Sequence, residues 1–123
     1  MVLLADREYI KFRTFVYLRG EEKTIEIYKE ERIKKIEVNE LLNFKIYLND
    51  KDFDTLVNEL NKYKMQEWKE EYINLYVLDG MEWDLEYNIN GSKKSIHGQN
   101  DYPTNWDEVE EILFGTIEKV MIK

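Results

Sequence analysis

The chain predicts an α+β fold, an antiparallel and largely meandering sheet with two helices covering one face. Three observations lead there. Apolar and polar side chains alternate in short strand-like runs over most of the chain, and two segments instead space their apolar residues helically. Asp79-Gly80 and Asn90-Gly91 punctuate alternating runs with residues that tolerate the positive φ angles of tight hairpin turns. At 123 residues, with 43% hydrophobic and 14% aromatic content, the chain suits a single domain with a true core.

From Glu8 to Leu18, Ile10, Phe12, Thr14, Val16 and Leu18 fall on one face, and Tyr9, Lys11, Arg13, Phe15 and Tyr17 on the other, which is strand periodicity. Arg19-Gly20-Glu21-Glu22 reads as a turn. Thr24 to Tyr28 then alternates with Ile25 and Ile27 inward, so residues 8–29 make a hairpin. A weaker strand follows from Lys34 to Val38. Leu42, Phe44, Ile46 and Leu48 alternate with Asn43, Lys45 and Tyr47 in a fourth strand that stops at Asn49-Asp50.

A short carboxylate accepts hydrogen bonds from the free amides of a helix's first turn, so Asp50 or Asp52 suits the cap of a helix over 51–63. Phe53, Leu56, Val57 and Leu60 form its buried stripe at i, i+3, i+4 and i+7. Met65 to Glu71 is charged and aperiodic, and reads as a link. Next comes a three-strand meander. Ile73, Leu75 and Val77 oppose Tyr72, Asn74, Tyr76 and Leu78 in its first strand. Trp83, Leu85, Tyr87 and Ile89 oppose Glu82, Asp84, Glu86 and Asn88 in the second, and residues 92–98 make the third. Asn105 caps a closing helix with Trp106, Val109, Leu113 and Ile117 inward and Asp107, Glu108, Glu110 and Glu111 outward. Gly115 costs about 1 kcal/mol inside a helix, which leaves open whether Thr116–Lys123 continues it. Phe53–Leu60 aligns with Trp106–Leu113, each behind an Asn-Asp pair, a weak repeat that suggests two βββα halves.

The net charge of −8 is unevenly placed. Between Glu67 and Glu111 twelve acids stand against three lysines, so this segment carries −9 and leaves +1 for the rest. Such a field repels nucleic acid and membrane surfaces and attracts basic proteins, although a merely solvated face has the same composition. With no cysteine there is no disulfide or thiolate site, which fits a cytoplasmic protein, and no run of residues reads as a membrane span or secretion signal.

Little in the chain points to chemistry. Glu82, Asp84 and Glu86 share a strand face beside Asp79, but successive same-face positions lie nearly 7 Å apart, too far to hold one ion unaided. His97 is the only histidine, so no histidine pair exists, and no nucleophile elbow or phosphate-cradling glycine loop appears. Lys11 to Tyr17 interleaves basic and aromatic residues in the manner of an RNA-binding strand, yet lacks that strand's glycine and sits in an acidic protein. No cofactor and no metal site is expected.

Two motifs carry a resemblance. Asp79-Gly80-Met81-Glu82-Trp83-Asp84-Leu85 and Gly98-Gln99-Asn100-Asp101-Tyr102-Pro103-Thr104-Asn105-Trp106 resemble a group of small bacterial proteins. That group has a D-G-x-x-W-x-L strand and a G-x-N-x-Y-P-x-N-[FW] lead into a final helix. Met81 departs from the small polar residue expected after the glycine. The group has no established activity, so the resemblance implies a fold, with Trp83 and Trp106 as core anchors and Tyr102-Pro103 as a fixed corner.

The reading that follows is a non-catalytic acidic protein, an immunity-type or phage-encoded anti-defence inhibitor such as an anti-CRISPR protein. It would dock on a basic surface of a toxin or nucleic-acid enzyme. Glu82, Asp84, Glu86, Asp107, Glu108 and Glu111 supply its charge, and Tyr76 and Tyr102 its anchors. One rival is a metal-dependent hydrolase or nuclease built on Asp79, Glu82, Asp84 and His97. Another is a homodimeric structural module joined through an exposed strand edge.

Overall fold

The computed structural model of the chain describes residues 7–30, 35–38, 42–76 and 80–121. Its elements run β1 Tyr9–Val16, β2 Glu21–Lys29, β3 Lys35–Val38, β4 Asn43–Leu48, α1 Asp50–Asn61, a 3-10 turn Met65–Glu67, β5 Glu71–Ile73, β6 Met81–Ile89, β7 Ser92–Gln99 and α2 Trp106–Met121. All seven described strands join one open sheet in the order β3-β4-β2-β1-β6-β7-β5. Both helices pack on one of its faces, and the α+β class is the one the sequence predicts. Among the described residues no helix is long and apolar enough to cross a membrane.

The sheet is mixed rather than wholly antiparallel, because β2 with β4 and β5 with β7 are parallel pairs. It is also not a meander through β5. Among the described residues only Tyr72 and Ile73 of the expected first strand are extended, with Glu71 from the expected link before them. Asn74 ends it by accepting a hydrogen bond from the Tyr76 amide on its Oδ1 at 3.0 Å, a side-chain turn that replaces the ladder. Val77, Leu78 and Asp79 lie outside the described residues. The place beside β6 belongs to β1 instead, with Ile10 opposite Tyr87, Phe12 opposite Leu85 and Thr14 opposite Trp83. Alternation fixes which side chains face inward, but it does not name the neighbouring strand.

The two turn dipeptides separate accordingly. Asn90 and Gly91 adopt φ of 51° and 81° and join β6 to β7 as a tight hairpin. Gly80 is required for another reason, since a Cβ there would stand 1.9 Å from Asn100 Oδ1, the acceptor for the Met81 amide at 2.9 Å.

The core gathers the inward positions expected from the sequence: Ile10 and Phe12 of β1, Ile25 and Ile27 of β2, Ile46 and Leu48 of β4, and Trp83, Leu85 and Tyr87 of β6. Leu18 is a correction. It lies in the turn after β1, 77% exposed. The supposed link 65–71 contributes Met65 and Trp68 to the core. Helix α1 is capped by Asn49, whose Oδ1 accepts from the Asp52 amide at 2.8 Å, and not by Asp50 or Asp52, which sit inside its first turn. Helix α2 runs through Gly115 to Met121, and Ile122 and Lys123 lie outside the described residues. The two halves differ in order, since the outer parallel strand follows the hairpin in the first (β4) and precedes it in the second (β5).

The two motifs meet in space. Trp83 is fully buried, lies against Gly98 on the neighbouring strand, and donates from Nε1 to the Asp101 carbonyl at 3.0 Å. Tyr102 stacks on Trp83 at 6.5 Å and 14° and tilts against Trp106 at 4.8 Å. This aromatic unit fixes where α2 begins.

Candidate partner-binding site

Because helices cover only one side of the sheet, the other side presents the outward residues of every strand. Register brings them into rows. One row reads Glu37, Lys45, Glu26, Lys11, Glu86 across β3, β4, β2, β1 and β6, with the sign alternating at every step. Opposite charges directly across a pair stabilise a sheet and like charges destabilise it. The next row sets Arg13 of β1 against Asp84 of β6, and Asp84 against His97 of β7.

These contacts engage the strand carboxylates. Arg13 donates from one terminal nitrogen to Glu82 at 2.9 Å and to Asp84 at 2.8 Å, and from Nε to Glu22 at 3.1 Å. Partial burial lowers the Arg13 pKa, but the hydrogen bonds to Glu82, Glu22 and Asp84 outweigh it and leave the guanidinium more firmly protonated than usual. The other oxygen of Asp84 meets His97 Nδ1 at 2.7 Å. Tyr9 donates its hydroxyl to Glu86 at 2.5 Å. The acidic half of the sequence is therefore not an acidic half of the molecule, since β1 has carried its cations into the middle of it.

The same geometry bears on metal chemistry. The cation between Glu82 and Asp84 is the protein's own guanidinium. Among the described residues no group of three or more His, Asp or Glu side chains stands close enough to hold a metal ion, and Asp79 lies outside them.

The carboxylates of α2 are placed differently. No ion pair among the described residues involves Asp107, Glu108, Glu110 or Glu111. Asp107, Glu108 and Glu111 are exposed on the helix. Glu110 is half-buried, and burial raises its pKa, with Asp107 adding to the rise and Lys23 opposing it. Burial likewise raises the Tyr102 pKa, reinforced by the nearby charges of Glu110, Asp101 and Asp107. Tyr102 is 39% exposed with its ring seated on Trp83 and Trp106, an anchor held in place from below. Tyr76 is 96% exposed beside Leu75 at 79%, in the turn after edge strand β5.

The expected site residues thus fall into three places. Glu82, Asp84 and Glu86 lie paired on the open sheet face, Asp107, Glu108, Glu111 and Tyr102 lie at the start of α2, and Tyr76 stands at the β5 edge. Sequence reasoning missed Arg13 and Tyr9 as partners of the strand carboxylates. A signal existed: outward Lys11 and Arg13 have the same two-residue spacing as outward Asp84 and Glu86, which is what an antiparallel pair of complementary strands needs. No family model, no curated protein and no solved structure matches the chain.

Proposed function

We propose that the protein is a non-catalytic acidic binding module acting in the cytoplasm, an inhibitor of the immunity or anti-defence kind that occupies a basic surface of a toxin or nucleic-acid enzyme. The observation that supports this reading is the division of the carboxylates. Those of β6 are engaged by Arg13, His97 and Tyr9, whereas among the described residues Asp107, Glu108 and Glu111 at the start of α2 form no ion pair. An unpaired cluster costs like-charge repulsion in the free protein and is relieved by a cationic partner, while Tyr102 supplies a desolvated aromatic contact beside it.

The test is kinetic. A partner is purified from the source cell on the tagged chain, and association is followed by stopped flow at low salt. Reversing Glu108 and Glu111 to lysine should slow association about tenfold, the lower end of what electrostatic steering supplies, whereas Glu86→Gln should not. Equal on-rates for wild type and the reversed variant remove the electrostatic basis of the proposal.

A second reading, a homodimer through the β5 edge, is favoured by the exposure of Leu75 and Tyr76. The Glu70 carbonyl and the Asn74 amide both face β7, so the backbone of Glu71 and Ile73 between them turns outward. Light scattering separates the readings: a doubled mass that Leu75→Ser and Tyr76→Ser abolish supports the dimer.

A further inference from the structure

We infer that the outer face of α2 around Gly115 is the seat for a cationic amphipathic helix of the partner, with the two helix backbones crossing at that glycine. The inference rests on the reading of the protein as an acidic binding module and specifies what its partner presents. Gly115 is the tenth of the sixteen residues of α2, well inside the helix, where glycine costs about 1 kcal/mol relative to alanine. The other four glycines have a use within the chain. Gly20, Gly80 and Gly91 hold positive φ, and a Cβ on Gly98 would stand 2.0 Å from Trp83 Nε1. Gly115 has no positive φ, and a Cβ there would meet nothing within 4 Å among the described residues. What glycine offers at such a position is room for another backbone to approach closely.

The surroundings say what approaches. Gly115 lies in an open concavity of about 1100 Å3, with Phe44, Ile112, Phe114 and Ile117 supplying its apolar surface. That is at or above the roughly 300–1,000 Å3 of small-molecule pockets, and it is open rather than enclosed. Glu108, Glu111 and Glu118 line the same concavity and share Gly115's stripe of the helix, at spacings of three, seven and ten residues from the first. Its two lysines are already engaged, Lys119 with Glu59 at 3.5 Å and Lys23 over the Phe114 ring at 4.1 Å. A second copy of α2 would bring its own glutamates against these, and nucleic acid would bring phosphates, so charge disfavours both. A helix with lysine or arginine along the centre of its contact stripe for Glu108, Glu111 and Glu118, and apolar residues on its flanks for Ile112 and Phe114, which edge that stripe on either side, matches the chemistry on both counts.

The experiment titrates the full chain with a Leu/Lys amphipathic helical peptide of about five turns, followed by anisotropy and by amide chemical shifts. Saturable binding is expected, with shifts centred on Ile112 to Glu118. Gly115→Leu should weaken it about tenfold, equivalent to ~1.4 kcal/mol, and Gly115→Ala should weaken it less. Both variants should melt no lower than wild type, because both residues are better helix formers. Shifts centred elsewhere, or a Gly115→Leu chain that binds as wild type does, overturn the inference. A Leu/Glu peptide that binds equally well overturns its charge half. If Gly115→Leu has no effect while Glu108→Gln, Glu111→Gln and Glu118→Gln together abolish binding, the crossing is wrong and the acidic docking reading survives. If no variant matters, both fall.

Discussion

Gly98→Ala tests the aromatic unit that seats α2. The new Cβ would stand 2.0 Å from Trp83 Nε1, 2.1 Å from its Cε2 and 2.6 Å from its Cζ2, where ordinary contact begins at 3.4 Å, so the indole must retreat by more than an ångström. It has nowhere easy to go. Phe12, Trp68, Tyr72, Tyr102 and Trp106 all lie with ring centroids within 6.5 Å of it. Overpacking of this kind costs about 1–3 kcal/mol, and stretching the buried bond from Nε1 to the Asp101 carbonyl adds about 1–3 more, so roughly 2–6 kcal/mol in all. Against a total stability of about 5–15 kcal/mol, that is a large fraction. With a urea slope of about 2 kcal/mol per molar, the midpoint should fall by roughly 1–3 M. Urea melts followed by tryptophan fluorescence and circular dichroism provide the assay. Trp83→Phe supplies the control, because with no indole to displace, Gly98→Ala should cost at least about 1 kcal/mol less in that background. An unchanged midpoint for Gly98→Ala refutes the packing argument.

Three further outcomes can be checked with the same instruments. Arg13→Gln leaves Glu22, Glu82 and Asp84 without their cation. Since all four side chains are partly exposed, the loss should be only about 1–2 kcal/mol at low salt and should shrink at high salt; equal stability in low salt would show that the network contributes nothing. Glu110 has a folded pKa raised by burial, so the fold holds its proton more tightly than the unfolded chain does. The stability this gives is complete below the ordinary carboxylate range and is lost as pH rises through the raised value, so Glu110→Gln should raise the melting temperature near pH 7 and flatten that decline, and a parallel pH profile would contradict it. Asn49→Ala removes the α1 cap and should cost about 1 kcal/mol, while Asp50→Asn changes stability by only a few tenths; the reverse ranking in thermal melts would restore the aspartates as caps.

Several features were legible because they are local. The inward set Ile10, Phe12, Ile25, Ile27, Ile46, Trp83 and Leu85 follows from a period of two, the stripe Phe53, Leu56, Val57 and Leu60 from a period of 3.6, and the Asn90-Gly91 turn from the φ angles those residues tolerate. The cap on α1, expected at Asp50 or Asp52, was misplaced by one or three residues because asparagine and aspartate accept the same bond, and only backbone position tells them apart. The site was legible as a list of residues and illegible as an arrangement. Glu82, Asp84 and Glu86 read as free charge because Arg13 and Tyr9 stand about seventy or more positions earlier in the chain.

By itself, then, the sequence determined the class of fold, the faces of its strands and helices, and the excess of acid in its second half, all of which depend on neighbours a few residues apart. Only the tertiary structure decided that β1 inserts beside β6 in place of β5, and with that which carboxylates are neutralised and which, on α2, are left facing outward. Strand pairing joins residues distant in the chain through backbone hydrogen bonds that are nearly blind to side-chain identity. Register, once set, converts an uneven row of charges along the chain into a balanced lattice across the sheet.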